Sequence, residues 1–227
     1  MTPKTRLEVE EVAIMAGTVA LQGLLRMPRN PRGIVLFAHG SGSSRLSPRN
    51  THVAELLGAA GFGTLLFDLL TAEEEQIDEV TAELRFNIPH LTTRLVAATG
   101  WVLAQPRLGA LPVGYFGAST GAAAALAAAA RVPQVAAVVS RGGRPDLAGT
   151  ALPDVRAATL LIVGGDDEQV LVLNKQALAE MTCDAKVTVV PHATHLFVEP
   201  GTLEQVAALA AEWFTRYLKV PESRAAV

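Results

Sequence analysis

The sequence has little of several residue types, and each scarcity excludes a class of protein. Its 227 residues include a single cysteine, Cys183, so the chain cannot form an internal disulfide, and we expect a reducing compartment. Charged residues make up 18% and hydrophobic residues 50% of the chain, which excludes an intrinsically disordered protein. The 19 basic and 22 acidic residues give a net charge of −3 without a basic run, so we expect no nucleic-acid partner.

Long apolar segments are missing as well. The longest, at about 115–130, is shorter than the roughly 18 residues of a membrane span and contains Ser119 and Thr120. The segment 1–10 alternates charged and apolar side chains and lacks the apolar core of a secretory signal. We therefore expect a cytoplasmic protein that does not bind a membrane.

Short apolar runs alternate with segments of helix length along the chain. Residues 7–14 and 19–25, which flank Ala16-Gly17, predict an antiparallel hairpin. Six further strands are predicted at 33–38, 63–67, 112–116, 135–140, 159–163 and 186–190. Helices are predicted at 48–60, around 91–102, and at 119–131, 170–181 and 202–219. This alternation predicts one α/β domain over residues 1–227, with a mostly parallel sheet covered by helices on both faces.

Two local patterns carry more specific predictions. The segment 71–93 is the least regular and contains Glu73-Glu74-Glu75, so we interpret it as a short insertion or a small lid. At the start of the last helix, Thr202 and Gln205 have the spacing of a capping box, in which two side chains bond to free backbone N–H groups of the first turn.

The pattern Gly117-Ala118-Ser119-Thr120-Gly121 stands between an apolar strand and an alanine-rich helix. A serine on such a sharp strand-to-helix turn is held in a strained conformation that presents its hydroxyl above the sheet. Glycines on either side are needed because a side chain there would collide with the neighbouring strand or helix. Reactive groups of parallel sheets lie at the carboxyl ends of the strands, so Ser119 is our candidate nucleophile; the alternative is a tight turn with a bystander serine.

A serine hydroxyl needs a base to take its proton and a third group to orient that base. The chain order Ser…Asp…His, which this architecture uses, places the base after the last strand. His195 is favoured there over His192, because His192 directly follows Pro191 at the end of the strand.

The orienting acid has three candidates. Asp167 follows Gly164-Gly165 and precedes a predicted helix, whereas the carboxylate of its neighbour Asp166 would face the positive end of that helix. Asp146 follows the sixth strand. We favour Asp167, then Asp166, then Asp146.

The same chemistry requires two hydrogen-bond donors for the negative oxygen that develops on the substrate. The backbone N–H of Thr120, at the start of the helix after Ser119, is predicted to supply one. The backbone N–H of Ser41, in the loop after the third strand, is predicted to supply the other, since Gly40 and Gly42 let that loop come close to Ser119.

Four arginines lie near predicted strand ends, namely Arg45, Arg49, Arg141 and Arg144. Guanidinium groups bind carboxylates through paired hydrogen bonds, so we consider Arg49 and Arg141 as residues that hold a carboxylate of the substrate. The alternative is that these arginines pair with nearby acids such as Asp146 or residues 73–75.

Together, these residues resemble the α/β-hydrolase superfamily, and within it the dienelactone-hydrolase-like branch. The resemblance covers residues 7–218 and is carried by the serine turn, by His39-Gly40-Ser41-Gly42 and by Ala193-Thr194-His195-Leu196-Phe197. It implies an eight-stranded sheet with little or no cap domain, and hydrolysis of small carboxylic esters or lactones without a cofactor or a metal. Dienelactone hydrolases use a cysteine nucleophile, whereas this chain has Ser119, so the resemblance points to a serine carboxylesterase.

Two other functions would use the same fold. An acyltransferase passes the acyl group to an alcohol or amine instead of water, and a binding or regulatory module keeps the fold without catalysis. The sequence contains no phosphate-binding Gly-x-x-x-x-Gly-Lys loop, and His192 and His195 lack the helical glutamate motif of zinc enzymes. We expect a hydrolase that acts on a small-molecule ester or lactone, with its oligomeric state open.

Overall fold

Eight strands form one sheet in the computed structural model, which describes residues 8–219. The strands are β1 Val9–Ala16, β2 Val19–Arg26, β3 Ile34–Ala38, β4 Gly63–Phe67, β5 Val113–Ala118, β6 Val135–Arg141, β7 Ala158–Gly164 and β8 Ala185–Val190. Their order is β1-β2-β4-β3-β5-β6-β7-β8, with β1–β2 and β2–β4 antiparallel and all other neighbours parallel. The predicted α/β-hydrolase sheet is confirmed, although the predicted start of the first strand at residue 7 lies outside the described residues.

Helices cover both faces of this sheet, as predicted. They are α1 Pro48–Ala59, α2 Ala72–Thr81, α3 Ile88–Ala104, α4 Thr120–Ala129, α5 Glu168–Glu180 and α6 Thr202–Tyr217, with 3-10 segments at Leu84–Phe86 and Pro145–Asp154. Helices α3 and α4 pack on one face, and α1 and α6 pack on the other. Within residues 8–219, no helix is long and apolar enough to cross a membrane.

Apolar side chains dominate the central strands because both faces of these strands are covered. Every residue of β3, β4, β5 and β7 is buried. Successive side chains alternate between the faces, so that Leu36 packs in the cluster under α3 and α4, and Phe37 packs in the cluster under α1 and α6. Trp213 of α6 also donates its indole N–H to the carbonyl of Ala158, 3.0 Å away, which fixes α6 over β7.

Helix α4 lies closer to the sheet than a helix with ordinary side chains could. All ten of its residues are buried, and eight of them are glycine or alanine. A Cβ atom on Gly121 would lie 2.2 Å from the carbonyl oxygen of Ala38 and 2.4 Å from that of His39. The small residues after Ser119 therefore bring the first turn of α4 against the end of β3.

The segment 71–93, expected to be irregular, is largely helical. It contains α2, the turn Leu84–Phe86 and the start of α3. Thr71 and Glu74 form a capping box: the Thr71 hydroxyl accepts the Glu74 N–H at 3.2 Å, and the Glu74 carboxylate accepts the Thr71 N–H at 2.8 Å. The acidic run at 73–75 therefore marks the first turn of a helix, where negative charge is favourable.

The predicted capping box of the last helix is wrong. Gly201, with φ +78°, is the N-cap of α6, and no side chain caps the helix. Thr202 is the first helical residue, and its hydroxyl donates to the carbonyl of Glu199 at 2.7 Å. The left-handed glycine shifts the helix start by one residue, which leaves the Thr202 hydroxyl nearer to a carbonyl than to a free N–H.

Replacement of two glycines tests the close approach of α4 to β3. Gly121→Ala is expected to lower the free energy of unfolding by about 3 kcal/mol or more, because its methyl group meets backbone that cannot move aside. Gly100→Ala in α3, where a Cβ meets nothing within 4 Å, is expected to raise it by roughly 0.5–1 kcal/mol. Urea denaturation measures both, and equal effects of the two substitutions would contradict the packing described.

Candidate active site

The turn at Ser119 has the strain that the sequence predicts. Ser119 adopts φ +51° and ψ −122°, a conformation that residues with side chains rarely occupy. Its N–H donates to the carbonyl of Arg141 at 3.3 Å, and its carbonyl accepts the N–H groups of Ala122 and Arg144, each at 3.1 Å. A Cβ atom on Gly117 would lie 2.4 Å from the Cα atom of Ala122, so the turn requires glycine there.

The structure brings His195 and Asp167 into direct contact. The Nδ1 atom of His195 lies 2.7 Å from Oδ2 of Asp167. Because the carboxylate accepts, Nδ1 carries the proton and Nε2 is left as the acceptor, which is the tautomer that a general base needs. Asp167 is the N-cap residue of α5 but makes no capping hydrogen bond with its side chain, so its carboxylate is available to the imidazole.

The other candidates for base and acid lie elsewhere. Asp166 is exposed, and its backbone N–H donates to the carbonyl of Ala193 at 3.0 Å. Asp146 forms a two-pronged ion pair with Arg144, with a shortest distance of 2.7 Å. His192 is exposed and has φ +59°. Of the candidates weighed from the sequence, the structure joins only Asp167 and His195 within the described residues.

Ser119 and His195 both contact the segment at the end of β6. The carbonyl of Arg141 accepts the Ser119 N–H, and the next residue, Gly142, packs against His195. A Cβ atom on Gly142 would lie 3.0 Å from the His195 carbonyl oxygen and 3.6 Å from its Nδ1 atom. No hydrogen bond between the Ser119 hydroxyl and the imidazole occurs within residues 8–219; in the absence of substrate such bonds are often long.

The two predicted oxyanion donors are neighbours, but one of them is engaged. The Ser41 N–H donates to the hydroxyl oxygen of Thr120 at 3.0 Å, and the two hydroxyl oxygens lie 3.0 Å apart. The loop is close to the serine turn, since a Cβ atom on Gly40 would lie 3.0 Å from that of Ser119. The Thr120 N–H stands at the start of α4, where backbone donors have no partner within the helix.

His39 supports this loop, and sequence reasoning did not identify it. It is buried, and its Nε2 atom accepts the Leu69 N–H at 3.0 Å while Nδ1 donates to the carbonyl of Gly40 at 3.0 Å. These two partners require a neutral ring. Burial lowers the pKa of His39, and the Gly40 carbonyl and the Asp68 charge oppose this only in part. A histidine directly after a fully apolar strand was the available clue.

The segment 71–93 lies over the same loop. Its residues Glu75, Asp78 and Arg85 line a cavity of about 20 Å³ together with the loop around Ser41 and with Thr120. Asp78 accepts the backbone N–H groups of Leu84 and Arg85, at 2.7 and 3.0 Å, and its other oxygen pairs with the Arg85 guanidinium at 2.6 Å. This buried carboxylate therefore fixes the turn that follows α2.

The arginines at the strand ends divide into two groups. Arg144 pairs with Asp146, as the alternative interpretation expects, and Arg45 pairs with Asp68 through both its backbone N–H and its guanidinium. Arg49 and Arg141 form no ion pair within the described residues; each has buried guanidinium nitrogens without a hydrogen-bond partner.

Comparison with known proteins agrees with the fold. The model of the dienelactone hydrolase family matches residues 21–220. The chain belongs to the dienelactone hydrolase family. The crystal structure of a dienelactone hydrolase from Anabaena variabilis is similar to it, with 56% identity, a TM-score of 0.92 and coverage of 94% of this chain and 99% of that chain. A dienelactone hydrolase-like promiscuous phosphotriesterase from metagenomic libraries shares the fold, with 18% identity, a TM-score of 0.76 and coverage of 93% and 98%.

Longer relatives carry a different name. Proteins from two Mycobacterium tuberculosis strains, CDC 1551 and H37Rv, are 60% identical over 214 residues, and both bear a provisional phosphoribosyl transferase name. The match covers 93% of this chain but 47% of each relative, so the chain spans about half the length of these curated relatives.

Substitution of the two neighbouring aspartates tests which carboxylate orients His195. Asp167→Asn is expected to slow modification of Ser119 by a fluorophosphonate on the order of 10³–10⁴-fold, because the amide favours the wrong imidazole tautomer. Asp166→Asn is the matched control and is expected to react like the unmodified protein. Mass spectrometry of the labelled serine over time measures both rates; similar rates for the two variants would remove Asp167 from this role.

Acidification tests the neutral state of His39. Because its pKa is lowered in the folded protein, the unfolded chain binds a proton that the folded protein resists. This contribution to the free energy of unfolding is complete above about pH 6.5 and is lost progressively below that pH. Urea denaturation at several pH values is expected to show a smaller decline for His39→Gln, and parallel declines would contradict the assignment.

Proposed function

We propose that this chain is a serine hydrolase that cleaves small carboxylic esters or lactones through an acyl-enzyme on Ser119. The observation that carries the proposal is the 2.7 Å hydrogen bond between His195 and Asp167, placed at the strand end that also holds the strained Ser119 turn. A strained backbone conformation costs free energy and is kept only where the surrounding structure holds it. Here the strain supports the proposal because it presents the serine hydroxyl for reaction. Membership of the dienelactone hydrolase family supports the same reaction class.

The first half of the reaction forms the acyl-enzyme. The Ser119 oxygen attacks the acyl carbon while its proton passes to Nε2 of His195, and Asp167 stabilises the imidazolium through Nδ1. The N–H groups of Thr120 and Ser41 hold the oxyanion. For this step the Ser41 N–H gives up its hydrogen bond to the Thr120 hydroxyl and donates to the substrate oxygen instead. Substrate binding is therefore coupled to an adjustment of the loop after β3. The imidazolium then gives its proton to the departing alkoxide.

The second half releases the acid. A water molecule attacks the acyl carbon and gives a proton to Nε2, the bond between the acyl carbon and the Ser119 oxygen breaks, and Ser119 takes the proton back. If an alcohol or amine attacked in place of water, the acyl group of the same intermediate would be transferred to it. The phosphoribosyl transferase name is not carried over to this chain, since about half of each protein that bears it is unmatched.

Removal of the nucleophile tests the proposal. Ser119→Ala is expected to abolish p-nitrophenyl acetate hydrolysis and fluorophosphonate labelling without a change in the circular dichroism spectrum, because the reactive oxygen is lost while the turn remains. Ser44→Ala, in the loop after β3, is the matched control and is expected to retain both. If the protein without substitutions is folded but neither hydrolyses the ester nor takes up the label, the result would instead favour a catalytically silent binding module.

A further inference from the structure

Arg141 carries a charge that the described part of the chain does not satisfy. It is the last residue of β6, it is 7% exposed, and its Nε and Nη1 atoms are buried without a hydrogen-bond partner. No carboxylate within residues 8–219 forms an ion pair with it, whereas Arg45 and Arg144, which also follow strand ends, each have one. A buried guanidinium without a partner is costly, so this position calls for an explanation.

Arg49 adds a second positive charge to the same region. It is the second residue of α1, and its Nε atom is also buried without a partner. Its charge acts on Arg141: burial, and after it the charge of Arg49, lowers the pKa of Arg141 to about 10. Since the first turn of α1 contains no acidic residue, the positive end of that helix adds to the effect rather than opposing it.

We propose that Arg141 and Arg49 form a subsite for a phosphate group, and that the preferred substrates are esters that also carry a phosphate monoester. The part of this proposal that concerns substrates rests on the proposed hydrolase function. Two repelling guanidinium groups are best offset by an anion of about two charges, and a phosphate monoester carries −1.5 to −2 near pH 7. The terminal oxygens of the phosphate can accept hydrogen bonds from both guanidinium groups, whereas a carboxylate carries one negative charge and offsets only one of the two positive charges.

The position of Arg141 links this subsite to the serine turn. The Arg141 carbonyl accepts the Ser119 N–H, and the adjacent Gly142 packs against His195. The Arg141 side chain starts from this strand end, so a phosphate group that it binds lies within the length of one arginine side chain of the backbone that holds the serine turn. A small phosphorylated ester can place its acyl carbon at Ser119 while its phosphate contacts the arginines.

Binding of inorganic phosphate tests the subsite without any turnover. In Ser119→Ala protein, about 10 mM phosphate is expected to raise the Tm by about 2 °C or more relative to sodium chloride of equal ionic strength. Arg141→Met and Arg49→Gln, each added to Ser119→Ala, are expected to lose this shift. Arg144→Gln, which removes an arginine already paired with Asp146, is expected to keep it.

The stability of the Arg141→Met variant separates a ligand site from a structural role. Without phosphate this variant is expected to be as stable as its parent or more so, because an apolar side chain of similar length replaces an unpaired buried cation. A phosphate shift that is absent, or unchanged in both arginine variants, overturns the proposal. The proposal is also overturned if Arg141→Met lowers the stability of the protein without phosphate while Arg49→Gln keeps the rise in Tm that phosphate causes.

Kinetics with three matched acetate esters then identify the substrate class. The alcohol part is 2-hydroxyethyl phosphate, 3-hydroxypropanoate or 2-methoxyethanol, and acetate release is followed by pH-stat. The phosphate ester is expected to have a kcat/KM about tenfold or more above the other two, and Arg141→Met to remove this preference. A carboxylate ester that reacts equally well overturns the phosphate assignment. Phosphate binding with no hydrolysis of any ester would refute the proposed function and leave the subsite standing.

Discussion

The backbone of Ser119 is held in a conformation that costs an ordinary residue about 1–3 kcal/mol, and the candidate site depends on this constraint. Three backbone hydrogen bonds hold it there: one donated to Arg141, and two accepted from Ala122 and Arg144. All three partners are main-chain groups, so the direction of the Cα–Cβ bond of Ser119 is fixed by the meeting of β5, α4 and the segment at the end of β6 rather than by side chains. Only the rotation of the hydroxyl about this bond is left to be ordered when a substrate arrives.

The end of β6 performs three tasks in consecutive positions. The Arg141 carbonyl holds the serine turn, and Gly142, with φ +51° and no side chain, lets the backbone of His195 come within contact distance. The charge of the Arg141 side chain is close enough to that of Arg49 for the two to repel each other. The candidate nucleophile, the candidate base and the proposed phosphate subsite thus share one strand end, and their spacing depends on the register of β6 with its neighbours β5 and β7.

Patterns that depend on neighbours in the chain predicted much of this. Apolar runs predicted where the strands lie along the chain, and the glycines around Ser119 predicted its turn because the steric requirement is local. Asp167 was favoured over Asp166 by position alone, and its contact with His195 agrees. The error concerns Thr202, which bonds to a carbonyl instead of capping α6. The sequence also could not show that the Ser41 N–H, predicted as an oxyanion donor, bonds to the Thr120 hydroxyl, because that contact joins residues far apart in the chain. The role of His39 depends on Leu69, which follows β4 and lies thirty positions away, so the apolar strand before the histidine suggests its burial but does not identify its partner.

Helix α4 limits how this scaffold can be adapted. Its ten residues are all buried, and its first turn touches the end of β3 with no space for a methyl group at Gly121. A directed-evolution library that varies 121–129 would therefore displace the nucleophile before it altered substrate selectivity. Diversity introduced in the loop after β3, or at an α2 residue that lines the cavity beside this loop, such as Glu75, would instead change the surface next to the Ser119 turn and leave α4 unchanged. Selectivity and nucleophile placement are thus separable by position in this chain.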